Sequence, residues 1–95
     1  MKKEKLLFWL NIFVNEINLS DVELMYGKGT VIKFNSVDET FSKSNPILFF
    51  DLTVIFGDKF DEELLDSSLI ELLIKKFVNQ FDSKYSIALI IKWDV

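Results

Sequence analysis

The stretch GDKFDEELLDSS, Gly57 to Ser68, holds five carboxylates in twelve residues: Asp58, Asp61, Glu62, Glu63 and Asp66. Acidic side chains at that density can bind a hard cation, share a proton in catalysis, attract a basic partner or cap a helix. A calcium loop of the EF-hand type requires D-x-[DN]-x-[DN]-G and a closing Glu, and DKFDEELLDSSL lacks both the glycine and the alternation. Magnesium held by two carboxylates and a ligand phosphate would need a basic or glycine-rich element close by, which this stretch does not have. No second feature selects one carboxylate pair for acid and base work, and Ser67 and Ser68 have no activating base, so the expectation is a protein that is not an enzyme.

Two readings of the acidic stretch survive. A carboxylate at Asp58 or Asp61 stands where a helix N-cap belongs, with Glu62 and Glu63 opposing the positive end of the helix dipole. Alternatively Asp58, Asp61, Glu62, Glu63 and Asp66, joined by Asp38 and Glu39, form an electrostatic docking surface for a basic protein such as a toxin or nuclease domain. The strand expected between Pro46 and Gly57 would hold the two groups about 33 Å apart, which favours opposite ends of the molecule.

The wider composition removes other chemistries. The chain of 95 residues has no Cys and no His, and all eleven of its basic residues are Lys. Disulfides, thiolate or imidazole catalysis and Cys/His metal sites are therefore absent, so no metal and no cofactor is expected. The net charge of −4 is concentrated in residues 36–71, where two Lys face nine acids. A field of that sign opposes phosphate backbones and anionic lipid, so no nucleic acid and no membrane is expected as a partner. GKG at Gly27–Gly29 is too short for a phosphate-binding loop and reads as a turn.

The elements that must carry these residues follow from periodicity. A chain this long, 49% hydrophobic with ten Phe, is expected to form a single domain over residues 1–95. MKKEK followed by LLFWLNIFV imitates a secretory signal, but no small-residue cleavage site follows and the apolar run is too short to span a bilayer. A helix over Lys3 to Asn18 in a cytoplasmic protein is the expectation. Its apolar face at Leu6, Trp9, Leu10, Phe13 and Ile17 is widened by Leu7, Phe8, Ile12 and Val14. Val22–Tyr26 and Thr30–Phe34 read as a β-hairpin around Gly27–Gly29, Asn35–Pro46 as a long polar loop, and Ile47–Phe56 as the longest strand. Asp61–Phe81 reads as the strongest helix, with Ile70, Leu73, Ile74, Phe77, Val78 and Phe81 on one face. The apolar run from Ile87 to Ile91 reads as a strand buried on both faces and interior to the sheet.

The expected fold is a two-layer α+β domain of order αβββαβ. An antiparallel meander is joined by a C-terminal strand parallel to the first or third, and both helices pack on one sheet face. Asp51 is expected on the exposed sheet face, and Trp9 and Trp93 either anchor an interface or pack in the core. The expected function is occlusion of another protein, as by an immunity protein of a bacterial toxin or a phage-type inhibitor of a defence enzyme. The rival expectation is a homo-oligomeric structural, assembly or chaperone protein, a homodimer in the simplest case, joined through its apolar helix face or sheet edges.

Overall fold

The computed structural model describes residues 2–58 and 62–94. Asp61 lies outside the described residues, and the helix expected from there to Phe81 begins only at Ser68, because residues 62–64 form a 3-10 turn instead. The elements are α1 (Lys3–Ile12), a π-helical turn (Phe13–Ile17), α2 (Leu19–Tyr26), β1 (Val31–Ser42), β2 (Asn45–Ile55), a 3-10 turn (Glu62–Leu64), α3 (Ser68–Phe81) and β3 (Ser86–Asp94). The fold is α+β, and the described residues form three α-helices and one three-stranded mixed sheet ordered β1-β2-β3.

The expected hairpin at Val22–Tyr26 is instead α2. Val22, Leu24 and Tyr26 alternate as a strand would, but Val22, Met25 and Tyr26 also satisfy helical spacing, and burial shows which period won. Val22 and Tyr26 are fully buried while Leu24 is 77% exposed. Gly27, with φ 104°, ends the helix, so Gly27–Gly29 joins a helix to a strand.

The expected loop Asn35–Pro46 is also replaced. β1 continues to Ser42, a two-residue turn at Lys43 and Ser44 reverses the chain, and β2 begins at Asn45. Both turn residues have positive φ, 50° and 71°, the backbone of a type I′ hairpin turn without its usual glycine or asparagine. This arm of β1 reads as polar because Val37 is its only buried side chain. A bulge at Asn35 shifts the register between Phe34 and Ser36. The freed Asn35 side chain donates to Asp51 Oδ1 at 3.3 Å and Thr53 Oγ1 at 2.9 Å on the sheet face away from the core.

β2 is the central strand, antiparallel to β1 and parallel to β3. Leu48, Phe50, Leu52 and Val54 on one of its faces are fully buried. They join Ile32, Phe34 and Val37 of β1, Leu6, Leu10 and Val14 of the first helical stretch, Val22 and Tyr26 of α2, and Ile70, Leu73, Ile74 and Val78 of α3 in one core. β3 is therefore an edge strand, not the interior one expected. Its apolar run reflects Ile87, Leu89, Ile91 and Trp93 packing partly against the core, while Ile90 on the opposite face is 46% exposed.

The π-helical turn serves the other edge. It marks a departure from α periodicity, with the Asn18 N–H bonded to the Phe13 carbonyl five residues back. Asn15 within it meets β1 side-on, donating from Nδ2 to the Ile32 carbonyl at 2.7 Å and accepting the Ile32 N–H on Oδ1 at 2.8 Å. One amide side chain thus replaces the backbone of a missing fourth strand.

Candidate functional site

The sheet separates the expected docking residues into two groups. Asp38 and Glu39 lie opposite Phe49 and Leu48 near the β1–β2 turn, whereas Asp58 follows the far end of β2. The interval from Phe49 to Ile55 alone is about 20 Å of extended chain. Asp38 and Glu39 therefore do not share a patch with the acidic stretch, as the length of β2 implied.

Near the turn, Asp38 accepts from Lys3 Nζ at 3.3 Å and Glu39 accepts from the Tyr85 hydroxyl at 3.2 Å. Burial and the Glu39 hydrogen bond raise the Tyr85 phenol above its ordinary value. Lys84 beside it is raised chiefly by the charge of Asp82, 3.5 Å away. Trp9, Phe81, Phe77 and Leu6 line a cleft of about 320 Å³ at the same end, with Lys2 and Lys5 at its rim. Phe8 stands edge-on to Trp9 at 5.5 Å. This end presents ammonium groups beside aromatic rings.

The opposite end is acidic. Asp58 Oδ1 accepts the Lys28 N–H at 2.8 Å, and the Asp58 N–H returns a bond to the Lys28 carbonyl at 3.1 Å. Glu23 Oε2 accepts the Gly29 N–H at 2.7 Å, and Asp94 pairs with Ile55 at the end of β3. Glu62 and Glu63 lie in the exposed 3-10 turn. Asp66 Oδ1 accepts both the N–H and the hydroxyl of Ser68, at 2.9 and 2.6 Å, and these bonds hold its carboxyl below the usual range. Asp58 does not cap α3, whose N-cap is Ser67 and makes no side-chain capping bond; the Asp66 carboxylate instead takes the N–H of Ser68, the first helical residue. Asp58 instead fastens the Gly27–Gly29 linker to the chain leaving β2.

Of the expected set, Asp58, Glu62, Glu63 and Asp66 gather at this end, and Glu23 and Asp94 join them from elements that sequence spacing did not connect. Among the described residues no three potential ligands are close enough together to hold a metal ion. Trp93 packs partly buried against the core, stacked on Phe56 at 5.7 Å and tilted against Tyr26 at 6.1 Å. Trp9, 48% exposed, faces solvent at the other end. Asp51 lies on the open sheet face beside Asn35, as expected.

Tyr26 ties the acidic end to the core. Its ring is fully buried and its hydroxyl donates to the Asp66 carbonyl at 2.8 Å. Burial, with the Asp66 charge adding to it, pushes the phenol from 10.0 up to about 12. Below pH 10 both folded and unfolded chains keep this phenol neutral, and the stability it confers is complete. Between pH 10 and 12 the unfolded chain ionises first, so that stability is lost as pH rises. Tyr26→Phe is expected to cost about 1 kcal/mol at neutral pH and to flatten the alkaline fall of the melting temperature, read by circular dichroism. An unchanged alkaline profile would show that Tyr26 is not the group responsible.

Among the described residues no helix is long and apolar enough to cross a membrane. No family model, curated protein or solved structure matches the chain.

Proposed function

We propose that the protein is a non-catalytic binding domain that occludes a basic surface of another protein, in the manner of an immunity protein or a phage-type inhibitor. The observation that supports this most is the convergence of Glu23, Asp58, Glu62, Glu63, Asp66 and Asp94 from four separate parts of the chain on one end of the molecule. Carboxylates so grouped create a local field that steers a cationic partner, and exposed Leu65 beside them offers apolar contact. Glu62, exposed in the 3-10 turn, is the carboxylate to test, because Asp58 and Asp66 are engaged in backbone hydrogen bonds that hold the fold.

The variant Glu62→Lys is expected to fold as the parent does. Its affinity for the basic protein recovered with the parent from a lysate of the source organism should fall by about tenfold or more, with a weaker dependence on salt. Titration calorimetry at two ionic strengths measures both quantities. Equal affinity and equal salt dependence for parent and variant would remove the acidic end from the binding surface.

A further inference from the structure

The two edges of the sheet are treated differently. β1 is closed at Ile32 by Asn15, interrupted by the Asn35 bulge and flanked by α1, whose Lys3 reaches Asp38. β3 is less protected: its only charges, Lys92 and Asp94, stand at its end, and Ser86 to Ile91 contains no charge, no proline and no bulge. The Phe56 N–H bonds to the Asp94 carbonyl, so even-numbered β3 residues turn their backbone groups toward β2. Alternation then turns the N–H and C=O of Ile87, Leu89, Ile91 and Trp93 outward, and no strand pairs with them among the described residues.

We propose that the outer edge of β3 pairs antiparallel with β3 of a second copy about a twofold axis at Ile90, joining two sheets into one of six strands. This inference is independent of the reading given under Proposed function. The strand is self-complementary in that register. Ile87 faces Trp93, Leu89 faces Ile91, Ala88 leaves room for the Lys92 stem, Ser86 faces Asp94, and Ile90 meets itself. No like charges stand opposite each other, whereas a register centred on Lys92 would oppose two ammonium groups.

Charge at the level of the whole molecule agrees. Antiparallel pairing lays the acidic end of one copy, where Asp94 lies, beside the end of the other that carries Lys84. An edge about 30 Å long on a molecule 18 Å deep covers about 1,100 Å² over two copies, just above the lower limit for a specific interface.

The test is sedimentation velocity with native mass spectrometry on the full chain. The parent is expected at twice its 11.1 kDa mass at micromolar concentration. Ile90→Lys sets two ammonium groups across the axis and is expected to raise the dimer dissociation constant about tenfold or more, while its half-exposed position leaves the monomer's circular dichroism unchanged. Ile90→Glu behaves likewise, and mixing the two variants restores a heterodimer, which a misfolded variant could not do. Amides of Ile87, Leu89, Ile91 and Trp93 gain hydrogen-exchange protection in the dimer. A parent that stays at 11.1 kDa, a dimer indifferent to both substitutions, or a mixture of the two variants that fails to associate overturns the proposal.

Discussion

Gly57→Ala is expected to destabilise the protein by about 3 kcal/mol, with the urea midpoint falling and the slope unchanged. A β-carbon at Gly57 would overlap the Lys28 carbonyl oxygen and lie 2.6 Å from that of Gly27. Both obstacles are backbone, and neither can turn aside as a side chain would. The Gly57 N–H donates to Thr30 Oγ1 at 2.9 Å, and the buried Thr30 hydroxyl donates to the Gly27 carbonyl at 2.6 Å. With the paired bonds between Asp58 and Lys28, these contacts join the linker after α2 to the chain leaving β2. Moving the linker to admit a methyl group would break several of them together. Gly29→Ala is the control: its β-carbon meets nothing within 4 Å, and only its φ of 87° resists, at about 1 kcal/mol. Similar losses for the two variants would show that close approach at Gly57 is not what holds this region.

Asn15→Ala should cost about 2 kcal/mol, because it strands the N–H and C=O of Ile32, whose side chain is fully buried. Asn15→Asp keeps the acceptor but points a second carboxylate oxygen at the Ile32 carbonyl, so it should not rescue. Hydrogen exchange at the Ile32 amide is the direct measurement. Faster exchange in both variants is expected, and protection equal to the parent's would mean that the edge is closed by something other than this side chain.

Sequence patterns were most informative where one face of an element is apolar and the other polar. The stretch Leu48 to Val54 and the helix face Ile70 to Phe81 are of that kind, and both lie where periodicity placed them. Their partners were less legible because tertiary neighbours set their character. In Val22–Tyr26 five residues fit two periods equally well, and the deciding fact, that Tyr26 and not Leu24 finds the core, is long-range. The arm Asn35–Ser42 looks like a loop since a hairpin arm covered on one face at a single position carries almost no apolar signal. Ile87–Ile91 looks interior although no strand lies beyond it, because hydrophobicity does not distinguish a neighbouring strand from an open edge. The division of the acidic residues between two ends followed from strand length alone. The part played by Glu23 and Asp94 did not, since it depends on how α2 and β3 arrive. Asn15 gave no signal: its importance comes from the π-helical phase, which the apolar pattern passes over.

That phase also constrains the gene. The wider turn at Phe13–Ile17 departs from the residue count of a regular α-helix while α1 and α2 both face the core. An in-frame loss of a single codon here would let the turn relax to the ordinary α-helical count, with Val22 and Tyr26 still facing β2 but residue 15 carried off the sheet edge. Such a loss should therefore cost the closure at Ile32 more than the core, and lineages of this protein that keep Asn15 should also keep the length of the segment from Phe13 to Ile17.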